Sequence, residues 1–580
     1  MASGSTKTNP SHVVVIPLPI SGHTNPLLQL SVQLASLGSD ITFITTSSTL
    51  RASLSALNHL CDGDQNLRQA IRFQALEVDR NRSEGYKFPE SIEIMARNSD
   101  EIKKLVAASA RELGPVSLAI IDFLLVEPLE SLDCNVAAFW TSSAAMLHIS
   151  VNVETLLEKG FLPLSRNDRS PEKKVVDSSV IPGVPCELSV FTDIPEDPLD
   201  PVGFSSMRKL KNPLLKAPWL LVNTLDEVEE QTLGALREQG FRKLVNVGPL
   251  PVGQGSNLED HTQKEWLDAQ EISSALYVCF GTMLELPEEQ VMEVGYGLEA
   301  SQQSFLWVLP ESSQRKLGDF LEGLRTRIGN RGLIVSWSSQ IDILRHPSVG
   351  GFVTHCGWNS TLESLSCGVP MIGWPIMGDQ PINCKFMVDV WRAGVRIESK
   401  SSSDGSSRIV GRGEVERAAR SLMGSETLRK RAKEIKSKAM EAMERVGGDE
   451  GPGRGAKEGI RFNAGFLARI RAKMDPGTPA AVMFLPTGRS CRELQGDAQP
   501  SPRRSSRIRI LGKMIKSGAP RPRENIQNAA VVILNGSQCN DPPPWMQNAR
   551  QNCSLAQQDG CEDNSFVAFQ ASMNSTAGCR

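Results

Sequence analysis

The sequence predicts an α/β protein: two successive units of parallel sheet flanked by helices, followed by a tail without fixed structure. Three observations carry this. Apolar runs of strand length alternate with stretches of helical period from Val13 onward, the pattern of a parallel sheet covered by helices. A polar, glycine-bearing stretch from Pro251 to Thr262 interrupts the series once and reads as a linker. Beyond about Met474 the composition turns to Pro, Ser, Gln, Asn and Arg with no sustained period, which predicts disorder. The expected organisation is a first domain over 1–250, a linker over 251–262, a second domain with a final helix over 263–473, and a disordered tail over 474–580.

The elements follow in order. Val13–Leu18 reads as a buried strand, Pro26–Leu37 as a helix stopped at Gly38, and Ile41–Thr45 as the next strand. Ser117–Asp122 and Val136–Trp140 continue the first series. The second series opens near Trp266, with strands at Ala275–Phe280, Ser304–Val308, Gly332–Ser336, Gly351–Thr354 and Met371–Trp374. Glu414–Val446 is charged and helical in pattern, and Gly455–Ala472 is a candidate last helix.

Composition narrows the function. Of 580 residues, 40% are apolar and 22% charged, with a formal net charge of −3, so nothing favours nucleic acid or an anionic membrane as partner. No run of about 18 apolar residues exists to span a bilayer, and the short apolar stretch Val13–Ile20 carries Pro17 and Pro19 and lacks the basic lead-in of a secretory signal. The twelve cysteines form no CxxC pair, and seven are scattered before residue 400 among apolar positions, as reduced core thiols are. A cytoplasmic setting is expected. A glycosylation sequon at Asn359-Ser360-Thr361, inside the segment that carries the chemistry, points the same way.

That segment runs from Trp337 to Gln380. Gly351–Thr354 reads as a strand, His355 to Trp358 as a tight turn containing Gly357, and Asn359 or Ser360 as the cap of a helix ending near Gly368. A strand–turn–helix of this kind aims free backbone N–H groups and the positive helix end at one point, which suits a diphosphate. Simpler roles stand beside this one. Ser360-x-x-Glu363 is also a capping box, and Trp337, Trp358 and Trp374 could be core aromatics. In the other half, His23 follows the first strand and Asp122 ends another, so both fall at the carboxyl edge of a sheet, where reactive groups face a cleft. Asp122 also has the type to cap the next helix.

Together these residues resemble the plant secondary-product signature of family 1 glycosyltransferases, which spans 44 positions from its Trp to its Gln, as Trp337 to Gln380 does here. The resemblance implies two Rossmann-like domains facing a cleft, the GT-B type, and transfer of a sugar from UDP-glucose or another UDP-sugar to a small-molecule acceptor. It implies that Trp337 stacks on uracil, that Gln340 and Glu363 hold the ribose, and that His355, Gly357, Asn359 and Ser360 form the diphosphate turn. Trp358, Asp379 and Gln380 then contact the sugar; Gln380 at the last position resembles glucose-using members. Met377 departs from the Trp many members carry there. Gly22-His23-Thr24-Asn25-Pro26 resembles the family's catalytic loop, with His23 as base and Asp122 as its orienting partner. Thr141 is implied as a sugar contact, and Gly281-Thr282 as a turn near the phosphates. The matching stretches run from about residue 11 to 472 and leave the tail outside.

The expected reaction is a single inverting displacement giving a β-glycoside, with no cofactor. No Asp-x-Asp motif stands where it could hold a divalent ion, so no metal is expected either. A monomer is expected. The rivals are another nucleotide-sugar enzyme, such as an epimerase or phosphorylase, and a binder that has lost its chemistry.

Overall fold

A computed structural model describes residues 11–61, 63–78, 88–159, 180, 201–250, 260–281, 286–397 and 409–445. The expected disordered tail, the candidate helix Gly455–Ala472, most of the expected linker, and Thr282 lie outside them.

Two sheets dominate, and every strand pair within them is parallel. The first contains β1 (His12–Ile16), β2 (Asp40–Thr46), β3 (Ile71–Leu76), β4 (Val116–Asp122), β5 (Val136–Trp140), β6 (Trp219–Val222) and β7 (Leu244–Asn246), in the order β3-β2-β1-β4-β5-β6-β7. The second contains β8 (Ala275–Cys279), β9 (Ser304–Val308), β10 (Gly332–Val335), β11 (Val349–Thr354), β12 (Met371–Gly373) and β13 (Gly394–Arg396), in the order β10-β9-β8-β11-β12-β13. Helices cover both faces, so central strands such as β1 and β11 are buried along their whole length. This is why they read as unbroken apolar runs.

Each sheet is doubly wound. In the first, the chain goes outward from β1 to β2 and β3, then returns to lay β4 on the other side of β1. In the second, β8 and β11 stand in the same relation. A crevice opens at the carboxyl ends of the two strands flanking such a switch point. His23 and Asp122 follow β1 and end β4; Gly281 and His355 follow β8 and β11.

The first helix corrects the sequence reading. It runs from Ser21 to Ser36, five residues earlier than the expected start at Pro26, so His23 lies in its first turn rather than ahead of it. Pro26 sits inside the helix. Having no N–H, it leaves the carbonyl of Gly22, four residues back, without its helical donor. A second difference lies at Asp260, whose carboxylate accepts from Thr262 and Gln263 N–H groups at 3.0 and 3.2 Å and starts a helix at His261, inside the expected linker.

The two halves are joined by indoles. Trp358 Nε1 donates to the Asn223 carbonyl at 2.6 Å, and Trp391 Nε1 to the Val228 carbonyl at 3.0 Å. The two rings lie 6.1 Å apart. Among the described residues, no helix is long and apolar enough to cross a membrane.

Candidate active site

On the N-terminal side, His23 Nδ1 lies 2.6 Å from Asp122 Oδ2. Asp122 is fully buried and His23 is 13% exposed. A carboxylate only accepts, so Nδ1 carries a proton, and in the neutral ring the lone pair is then on Nε2. Asp122 Oδ1 accepts from Leu124 N–H at 3.1 Å. The two roles open for Asp122 are therefore both filled, one oxygen for each. Phe88 and Phe123 flank the imidazole at 5.8 and 5.9 Å, which makes its surroundings apolar and aromatic. Thr141 Oγ1 is 3.4 Å from His23 Nδ1, so this expected sugar contact is placed beside the imidazole.

On the C-terminal side, the helix Trp358–Cys367 is capped two residues before Asn359 and three before Ser360, the two expected caps. Gly357 is its N-cap, and no side chain caps it. Neither Asn359 nor Ser360 is the cap, and Glu363 forms no capping box. The first intrahelical bond in this turn is Thr361 N–H to the Gly357 carbonyl at 3.0 Å, so the N–H groups of Trp358, Asn359 and Ser360 precede the helical ladder and are open to an anion.

Around that point stand the other expected residues. The His355 ring packs between two glycines: a Cβ at Gly281 would lie 2.8 Å from its Cε1, and one at Gly357 2.5 Å from its Nε2. Burial lowers the His355 pKa to about 4, so the imidazole is neutral at pH 7 and has a dipole rather than a charge to offer. Its Nδ1, like Asn359 Oδ1, is buried without a partner in the chain, which native structures rarely leave unexplained. Asn359 Nδ2 crosses to the N-terminal half and donates to Gly22 O at 2.9 Å, the carbonyl that Pro26 deprives.

Gln340 Nε2 donates to Ser360 Oγ at 2.9 Å and to Glu363 Oε2 at 2.6 Å. Burial raises the Glu363 carboxyl to about 7, against the pull of the Gln340 hydrogen bond and the Arg345 charge. Trp337 is 59% exposed, an indole open for stacking. His59, from the helix Ser47–Cys61, approaches it from the other half at 6.1 Å.

Two expected sugar contacts need correction in detail. The Trp358 indole is buried, with its N–H bonded to Asn223, so only its main chain is available to the turn. Gln380 Oε1 accepts from Ile376 and Met377 N–H groups at 2.9 and 3.0 Å, so its amide can offer only its N–H groups. Asp379 is held by Asn383 Nδ2 at 3.0 Å and by Ser142 Oγ from the opposite half. Burial raises its pKa, and these hydrogen bonds and the nearby His23 restrain the rise. Sequence reading missed Ser142, Asn383 and Phe88. Ser142 could have been suspected as the neighbour of Thr141; nothing in the sequence singles out Phe88.

Comparison with known proteins places these features in a wider group. The family described as UDP-glucoronosyl and UDP-glucosyl transferase matches residues 254–408, and a glycosyltransferase N-terminal domain family matches residues 10–112. UDP-glucosyltransferase 74AE2 of Panax ginseng is 32% identical over 470 residues, covering 76% of this chain and 96% of the relative. Linamarin synthase 1 of Manihot esculenta is 31% identical over 470 residues, covering 76% of this chain and 94% of the relative. Among solved structures, a Polygonum tinctorium UDP-glucosyltransferase capable of glucosylating indoxyl superposes with a TM-score of 0.63 at 26% identity, covering 81% of this chain and 99% of that one.

Proposed function

The chain belongs to the plant-type family 1 UDP-glycosyltransferases, hexosyltransferases of GT-B architecture, and from that premise we propose that it transfers glucose from UDP-glucose to a hydroxyl of a small lipophilic acceptor, with inversion, to give a β-glycoside. One observation carries the reading. The His23–Asp122 pair, at 2.6 Å, sits one residue from Gly22, whose carbonyl is bonded to Asn359 at 2.9 Å. The base and the helix end suited to a diphosphate thus face each other across one cleft.

In the proposed reaction, the acceptor oxygen lies against His23 Nε2, among Phe88 and Phe123. Those rings favour a flat, apolar acceptor such as a phenol. Nε2 takes the hydroxyl proton as the oxygen attacks the anomeric carbon, and Asp122 stabilises the imidazolium that forms. The bond to the diphosphate breaks on the opposite face. Charge developing on the leaving oxygens meets the N–H groups of Trp358, Asn359 and Ser360, the helix dipole and the His355 dipole. Trp337 stacks on the uracil, Glu363 and Gln340 hold the ribose, and Asp379 accepts from sugar hydroxyls while Gln380 donates to the sugar. The N–H donors support a reaction that needs neither divalent ion nor cofactor. A monomer in the cytoplasm completes the reading.

The test is incubation of the full chain with UDP-glucose and a panel of phenols, flavonoids and terpenoids, with and without EDTA, followed by mass spectrometry. A gain of one hexose on at least one acceptor, undiminished by EDTA, is the expected result. Isomerised sugar nucleotide without glycoside would overturn glycosyl transfer. Activity lost to EDTA and restored by manganese would overturn the metal-free mechanism.

A further inference from the structure

Asp379 is gripped from two sides on one oxygen. Asn383, one helical turn further on, donates to Oδ2 at 3.0 Å, and Ser142 Oγ donates to the same atom from the loop after β5. That loop is held firmly. Trp140 Nε1 donates to the Ser143 carbonyl at 2.9 Å, and Ser143 Oγ caps the helix Ala144–Val151 by accepting from Met146 N–H at 3.2 Å. The buried Glu229 carboxylate accepts from the N–H groups of Ala144 and Ala145, each at 2.8 Å. The neighbouring residue, Thr141, places its hydroxyl 3.4 Å from His23 Nδ1. Two consecutive side chains of one anchored loop therefore reach the base and the carboxylate.

We propose that Ser142 is a positioning residue for sugar transfer: by donating to Asp379 from the base-bearing half, it fixes the sugar-gripping carboxylate relative to His23. This rests on the reading of Asp379 as a sugar contact. The consequence is a division of labour within the donor. The side chains read as contacting the nucleotide all belong to the C-terminal half, whereas the grip on the sugar depends on a hydroxyl from the N-terminal half. Removing that hydroxyl frees Asp379 to turn away and leaves its oxygen one donor short.

The experiment compares the full chain with Ser142→Ala, Ser142→Thr and Asp379→Ala. Calorimetry measures binding of UDP and of the unreactive donor UDP-2-fluoroglucose, and steady-state kinetics give KM and kcat for UDP-glucose. Ser142→Ala is expected to weaken UDP-2-fluoroglucose roughly tenfold and to raise KM for UDP-glucose in proportion, with UDP binding unchanged. Ser142→Thr restores both. Equal weakening of UDP and UDP-2-fluoroglucose, or no change in either, overturns the inference. If Asp379→Ala is impaired and Ser142→Ala is not, only the role of Ser142 falls. If Asp379→Ala binds UDP-2-fluoroglucose normally, the reading of Asp379 falls with it.

Discussion

His23 owes its usefulness to a partner that can only accept. With Nδ1 tied to Asp122 at 2.6 Å, the free nitrogen is the one that takes a proton. His23→Ala is expected to lower turnover by roughly 10² or more, with UDP affinity unchanged, as measured by initial rates and a UDP titration. Glu363 carries a pH signature of its own. Its carboxyl, raised to about 7 by burial, must be ionised if it is to accept from two ribose hydroxyls as the proposed reaction requires. KM for UDP-glucose should therefore rise as pH falls from 8 to 6, and Glu363→Gln should remove the inflection. Linkage gives the matching sign for stability. Between the ordinary glutamate value and about 7 the folded state binds the extra proton, so this group's contribution is lost as pH rises through that window. Glu363→Gln should accordingly melt higher than wild type at pH 8 and no higher at pH 4, while binding donor less well at pH 8.

The elements differ in how plainly the sequence announces them. β1 and β11 are buried throughout, so their apolar runs leave no doubt, and both lie where the site forms. β3, by contrast, is an edge strand with exposed and half-buried residues, and β7 and β13 have only three residues each; such segments carry no clear period. Helix starts were misread for one reason. The N-caps are Ile20 and Gly357, and neither makes a side-chain cap bond, so nothing polar marks the boundary, while Pro26 and Ser360 offer better-looking signals five and three residues too late. The site residues were legible because their types and spacing are dense; their bonds across the cleft were not, since Ser142–Asp379 and Asn359–Gly22 join positions 237 and 337 apart. The turn after β8 offers a test at this scale. Gly281 has φ +79°, and a Cβ there would press on His355. Gly281→Ala should displace the imidazole, weaken UDP at least tenfold, and cost about 1–3 kcal/mol of stability, read by titration and by a thermal melt.

At the scale of the whole molecule, the two halves form the site only while they stay together, and the Trp358 and Trp391 bonds to residues 223 and 228 hold them. Trp391→Phe keeps most of the ring but orphans the Val228 carbonyl. A loss of about 1–3 kcal/mol is expected, with the single melting transition broadening or splitting as the halves uncouple; calorimetry would register it. Both indoles bond to main-chain oxygens, which every amino acid possesses. Neither hydrogen bond therefore depends on which side chain stands at position 223 or 228. The Ser142–Asp379 bond across the same seam is of the opposite kind, since it is lost with one hydroxyl, so changes in the N-terminal half that spare Ser142 leave all three bonds in place.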